Sequence, residues 1–225
     1  PECNDFLNYI LNIITNKPGF LEILINEKNN DGYTPLYKIA KLGSIKRFKA
    51  IREILEKSNI SIEKFLTSEN KHGANLIHLA VKFECDDKFL NYMLDLLKIK
   101  RDVLGKFLRE TDNEGYTPFD YAVRYGYLIR FEAMWDICEK LQISTKGILR
   151  NVNKYGENII HLAMGSTCND DFLKHILNLL KNKPDVLENL LRETDNEGYT
   201  PFNEAARCGY FNRFKYMWEA LDEKK

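Results

Sequence analysis

The chain has 225 residues, 44% of them hydrophobic, with 33 Lys+Arg against 33 Asp+Glu and zero formal net charge. That is enough for one or two globular domains or one continuous solenoid, and enough apolar content for a full core. Balanced charge argues against a general nucleic-acid or anionic-membrane surface, and with no run of 18 apolar residues neither a transmembrane helix nor a signal peptide is expected.

The chain opens inside a unit. Cys3–Pro18 (CNDFLNYILNIITNKP) parallels Cys168–Pro184 (CNDDFLKHILNLLKNKP) with one residue fewer. The helix that should precede it is missing. At the other end Met217, Trp218 and Leu221 read as the apolar face of a helix awaiting a neighbour. A fragment of a longer array is therefore expected, since terminal units normally carry a polar outer face.

The first complete turn lies in Asn26–Leu36 (NEKNNDGYTPL). Related stretches follow at Lys71–Ala80 (KHGANLIHLA), Arg109–Phe119 (RETDNEGYTPF), Lys154–Ala163 (KYGENIIHLA) and Arg192–Phe202, the last an exact copy of Arg109–Phe119. Their glycines, Gly32, Gly73, Gly115, Gly156 and Gly198, are spaced 41, 42, 41 and 42 residues apart. A whole-chain period of this size marks stacked repeats. The expected units are 1–28 (partial), 29–69, 70–111, 112–152, 153–194 and 195–225 (truncated).

Each unit follows one plan. A polar Asn/Asp-rich turn ends in glycine, which supplies the positive φ such a turn needs. Thr34-Pro35, Thr117-Pro118 and Thr200-Pro201 then place an N-cap before a proline at the first helical position. Asn75 and Asn158 serve as caps in the even units. A short helix follows, Pro118–Arg124 and its equivalents, with small residues (Ala40, Ala80, Ala122, Ala163, Ala205, Ala206) that permit close approach, and Gly43, Gly126 or Gly209 ends it in the odd units. A longer helix runs at 3.6-residue periodicity, as in Phe131, Met134, Trp135 and Cys138, or Phe172, Leu173, Ile176, Leu177 and Leu180. Segments such as Asp102–Glu110 and Asp185–Glu193 then predict an extra short helix.

Five cysteines occur without a CxxC pair, and Cys3, Cys85 and Cys168 mark one repeat position. An odd set of thiols suits a reducing compartment such as the cytoplasm. Heavy use of Asn, Ile and Lys resembles proteins from A+T-rich genomes such as those of intracellular bacteria.

The pattern G-Y-T-P-F/L-x-x-A-x-x-x-G resembles the ankyrin repeat over essentially the whole chain. The helical histidine of that signature stands at His78 and His161 and is replaced by Tyr37, Asp120 and Asn203 in the odd units. The resemblance implies an all-α solenoid of stacked, extended ankyrin-like helix-turn-helix units. It further implies a non-catalytic scaffold that binds a partner protein or peptide on a concave face of turn tips and first-helix ends. Large arrays of this kind are common in secreted proteins of intracellular bacteria and symbionts. That suggests an effector acting on a host protein, in the host cytoplasm after secretion. The alternative is a structural spacer or self-assembling array that positions a separate catalytic domain. A monomer is expected, apart from contacts through uncapped ends.

Carried onto this sequence, the concave positions are, from the turns, Asn30, Asp31 and Tyr33; Lys71 and His72; Asn113, Glu114 and Tyr116; Lys154, Tyr155 and Glu157; Asn196, Glu197 and Tyr199. From the first-helix ends they are Lys41 and Leu42; Lys82 and Phe83; Arg124 and Tyr125; Arg207 and Cys208. A tyrosine follows the glycine in every odd unit. A basic residue recurs at the helix end (Lys41, Lys82, Arg124, Arg207), and Gly165 interrupts that series. Tyr and Arg are enriched at interface hot spots, although a duplicated tyrosine can equally pack on the next turn and a basic row can be a solvated face. Such a row would suit an acidic partner segment, limited by Glu114 and Glu197.

Catalytic chemistry, a metal and a cofactor are not expected. No histidine pair has ligand spacing, and no Cys/His/Asp set concentrates in one unit. No glycine-rich phosphate loop occurs. His78 and His161 are expected to bond to the turn region. The Arg-Phe and Met-Trp pairs (Arg130-Phe131 and Met134-Trp135; Arg213-Phe214 and Met217-Trp218) fall on the second helix, and this aromatic stripe is expected in the core, holding each unit to the next.

Overall fold

The structure is a computed structural model that describes residues 18–62, 66, 69–82, 87–165 and 167–222; the readings of Cys3, Cys85 and Phe83 lie outside these. Among the described residues there are fourteen helices and no strand. They are α1 Pro18–Asn26, α2 Pro35–Lys41, α3 Ile45–Lys57, α4 Leu76–Lys82, α5 Asp87–Leu97, α6 Arg101–Arg109 and α7 Pro118–Arg124. Then follow α8 Leu128–Lys140, α9 Lys146–Leu149, α10 Ile159–Ala163, α11 Asp170–Leu180, α12 Pro184–Arg192, α13 Pro201–Arg207 and α14 Phe211–Asp222. The chain is all-α, and the turns between units form no ladder among the described residues.

The same local device opens each sequence unit. Asn29, Asn70, Asp112, Asn153 and Asp195 each use Oδ1 to accept the N–H groups of the residues two and four positions on, at 2.9–3.0 Å. A short polar side chain thus satisfies backbone donors that would otherwise be orphaned in the turn. The glycine three residues further on takes φ between +72° and +85°, a region costly for any residue with a Cβ. Thr34, Thr117 and Thr200 then cap α2, α7 and α13 with proline in the first turn. Asn158 caps α10, and Asn75 accepts from the N–H groups of Ile77 and His78.

Packing falls into two compact units, residues up to Met93 and residues from Leu94 onward. In the first, α2 packs on α1, α3 and α4. Leu36, Tyr37, Phe48, Leu55, Leu76 and Phe89 are buried there, and Phe48 meets Phe89 edge-on with centroids 5.9 Å apart.

In the second unit, α7 packs on α6, α8 and α10; α10 packs on α11, α12 and α13; α14 closes against α11, α12 and α13. Successive turns touch through their backbones here. Lys154 N–H donates to the Glu114 carbonyl at 3.0 Å, and Asn196 N–H to the Tyr155 carbonyl at 2.9 Å. The predicted extra helix is present as α6 and α12, which bury Leu104, Phe107 and Leu108, and Leu187, Leu190 and Leu191. A shorter version, α9, buries Ile148 and Leu149.

The two aromatic pairs part company. Phe131 and Trp135 are buried, and Phe131 meets Phe172 of α11 edge-on at 5.3 Å. Met217 of α14 is buried, yet Phe214 is 36% and Trp218 56% exposed. No described helix lies over them as α11 lies over Phe131, so the same sequence pattern is core in α8 and half surface in α14.

Candidate functional site

The first-helix positions that carry the resemblance serve architecture. His161 accepts the Asn158 N–H on Nδ1 at 3.3 Å, which leaves Nε2–H to donate to the Tyr199 carbonyl at 3.0 Å. The ring therefore ties its own cap to the following turn. His78 accepts the Asn75 N–H in the same way at 3.2 Å. In α7 the position holds Asp120, whose Oδ2 accepts from Thr117 N–H at 2.8 Å, Thr117 O–H at 2.8 Å and the Asn151 amide at 2.7 Å. Burial pushes that carboxyl up to about 6, against these hydrogen bonds, which hold it down. In α13 the neutral analogue Asn203 accepts from Thr200 N–H and O–H at 3.1 and 2.9 Å.

The predicted tyrosine row and basic row form one arrangement. Lys41 lies over the Tyr33 ring at 5.2 Å, Arg124 over Tyr116 at 5.1 Å and Arg207 over Tyr199 at 5.4 Å. The residues are eight apart in each case, one turn tip to one helix end, and each cation sits on a π-face. Tyr33 and Tyr116 are buried beneath, at 9% and 4% exposure, so their rings support the face from below. Burial pushes the Tyr116 phenol up, partly offset by Arg124. Arg124 also donates to the Tyr116 hydroxyl and lies 3.8 Å from Glu157. Arg207 makes a two-pronged pair with Glu204, at 3.0 and 2.6 Å. At the even turns, Lys71 pairs with Asp31 at 3.2 Å and Lys154 pairs with Glu114. These cations are thus already engaged within the chain, which weakens the expectation that they await an acidic partner.

A cleft of about 420 Å³ opens on this face of the second unit, lined by Arg124, Tyr125, Glu157, His161, Leu162, Gly165, Thr167, Asp195, Glu197, Glu204 and Arg207. A second hollow of about 270 Å³ adjoins it, sharing Arg124, Glu157, Asp195 and Glu197 and adding Tyr155 and Asn196. Of the residues predicted from sequence, Arg124, Tyr125, Tyr155, Glu157, Asn196, Glu197 and Arg207 line one or both of these hollows. Tyr33, Lys41, Lys71, His72 and Lys82 belong to the first unit. Asn113, Glu114 and Lys154 stand at turn tips and do not line the cleft, Tyr116 is beneath it, and Tyr199 lies under Arg207. Leu162, Thr167, Asp195 and Glu204 line it without having been expected.

Sequence reasoning named Arg213 within the Arg213-Phe214 pair but did not foresee what its side chain does. It is 7% exposed, and its guanidinium donates to the carbonyls of Ala163 at 3.1 Å, Gly165 at 3.0 Å and Cys168, and to Asp170 at 3.1 Å. One side chain satisfies the carbonyls that follow α10 and so shapes the segment carrying Gly165 and Thr167. The recurrence of Arg-Phe at Arg47, Arg130 and Arg213 was the available signal.

Burial pushes the Cys138 thiol up to about 12 and that of Cys168 to about 11, so neither is a thiolate near neutrality. Among the described residues no group of three or more His, Cys, Asp or Glu is placed to hold a metal ion, and no helix is long and apolar enough to cross a membrane. No protein-family model matches the chain, and no curated protein matches it significantly.

Proposed function

We propose that the chain is a non-catalytic protein-recognition module, a stack of extended ankyrin-like units that takes a partner polypeptide in the cleft between the ends of α7, α10 and α13. The observation that carries this is the cleft itself. Side chains from three consecutive sequence units, which share one plan, converge on an open hollow lined by charged, aromatic and aliphatic groups. Backbone bonds between turns hold the rim in place, so little ordering is needed on binding. His78 and His161 are engaged at helix caps, and His161 also at the following turn. The setting we favour is a bacterial or symbiont effector acting on a host protein in a reducing cytoplasm, without nucleic acid as a partner and without membrane insertion.

Site-directed photo-crosslinking in the full-length protein within its own cellular setting tests this. An aromatic photoreactive residue in place of Tyr125, which lines the cleft, should yield a defined polypeptide adduct. The same residue at Ile129, 64% exposed on α8, should not. Adducts at Ile129 and none at Tyr125 would move recognition to the second helices.

Self-association is a second reading, favoured by the exposure of Phe211, Phe214 and Trp218 at 75%, 36% and 56%. Exposed apolar patches of this kind mark contact surfaces. Sedimentation over a range of concentrations separates the two readings.

A further inference from the structure

The series of basic residues at the first-helix ends runs Lys41, Lys82, Arg124, then Gly165, then Arg207. Gly165 lines the 420 Å³ cleft. Its φ lies outside the left-handed region, so conformation alone does not require glycine, and an added Cβ would come within 3.2 Å of the Leu162 carbonyl oxygen, which would have to give by a few tenths of an ångström. Glycine here therefore does two things. It leaves empty the space that a long side chain fills in the other units, and it withholds one positive charge.

The charge withheld matters because of what surrounds the gap. Four carboxylates, Glu157, Asp195, Glu197 and Glu204, face two arginines. Arg207 is committed to Glu204, which it holds below the usual carboxylate range. Arg124 is committed to the Tyr116 hydroxyl and Glu157. Asp195 spends one oxygen on its own turn. No described side chain hydrogen-bonds to the Glu197 carboxylate, which is exposed at the rim. The hollow is thus net negative, with the aliphatic Leu162 and the Tyr125 ring to take the stem of a long side chain.

We propose that this cleft binds an arginine or lysine side chain carried by a partner polypeptide, seated over Gly165 where the other units place their own basic residue. The proposal rests on the reading of this face as a recognition surface and specifies its partner as a basic segment. It reverses the acidic partner expected from sequence, because the two basic residues of the row that line the cleft, Arg124 and Arg207, already face Glu157 and Glu204, and the one gap in that row is where the cavity opens.

The test uses the full chain and a capped peptide of alternating arginine and alanine, followed by amide chemical shifts. Shifts should centre on Gly165, Thr167 and Glu197, and the same peptide with citrulline for arginine should bind roughly tenfold more weakly or worse. Gly165→Arg supplies the cation in cis and should abolish binding while retaining a cooperative thermal transition, at some cost in melting temperature from the contact with the Leu162 carbonyl. If that variant misfolds, Glu197→Gln replaces it and should weaken binding several-fold. Equal binding of the citrulline peptide, undiminished binding by the folded Gly165→Arg variant or by Glu197→Gln, or no shifts at all would overturn the proposal. A photo-adduct at Tyr125 together with absent peptide shifts would leave the recognition face standing and remove only the cation.

Discussion

Asp120 carries a cost that its own neighbours expose. The position that holds His161 in α10 and Asn203 in α13 holds a buried carboxyl in α7, and burial raises that carboxyl from 3.8 to about 6. The unfolded chain ionises first as pH rises. Between those two values it binds fewer protons than the folded chain, so stability falls across that window and the full penalty stands above it. The size is on the order of 2–3 kcal/mol at 1.36 kcal/mol per unit. Asp120→Asn keeps the acceptor for Thr117 and Asn151, as Asn203 does for Thr200. Urea midpoints taken near pH 4.5 and near pH 7.5 should fall for the parent and change much less for the variant. Equal slopes in both would mean that the carboxyl is not the group responsible.

At the scale of the element, the turn was the most legible part of the chain and its stacking the least. Asn/Asp, glycine and Thr-Pro announce the hydrogen bonds they make, because each acts within four or five residues of itself. Nothing local announces that Gly115 must also be bare to let the next turn approach. Its φ is +82°, and a Cβ there would sit 2.8 Å from Asn153 Cα and 2.9 Å from Lys154 N. Gly198 takes φ +85°, with nothing within 4 Å of the same added atom. The two positions have identical sequence surroundings, so they separate conformational cost from contact. Gly198→Ala should cost about 1–2 kcal/mol, the penalty of a left-handed residue. Gly115→Ala should cost several kcal/mol in thermal or chemical unfolding, because backbone atoms of the neighbouring turn must retreat. Similar losses at both sites would show that the turn contact carries no stability.

The same limit governs the candidate site. Arg124, Glu157, Glu197 and Arg207 could be named from sequence because a period of 41–42 residues aligns them. Their state was harder to read, since it depends on which of several nearby side chains each one meets and, for Arg213, on carbonyls one unit away. Arg207 is neutralised by Glu204 on the facing turn of its own helix, Tyr116 is sealed under Arg124, and Arg213 reaches back 43 to 50 residues to hold the segment after α10. A periodic sequence reveals which residues are equivalent. It does not reveal which equivalents are covered.

At the scale of the whole molecule, cohesion comes from each element's apolar face being closed by the next, and α8 and α14 test this because they carry the same Phe-x-x-Met-Trp pattern. Trp135 stacks on Phe131 at 6.0 Å, meets Phe119 edge-on at 6.4 Å, lies under Lys183 at 5.5 Å and donates to Glu139 at 3.0 Å, all at 5% exposure. Trp218 is 56% exposed. Truncating a buried tryptophan removes transfer energy and leaves a cavity, so Trp135→Ala should cost about 3–5 kcal/mol. Trp218→Ala should cost under about 1 kcal/mol, in line with other surface changes. If stability is chiefly the closing of one face by its neighbour, Trp135→Ala should also weaken hydrogen-exchange protection in α11, whose Phe172 and His175 pack on the Phe131 ring beside it. Loss of protection confined to α8, with α11 unchanged, would mean that the helices hold themselves and that the shared faces contribute shape without cooperativity.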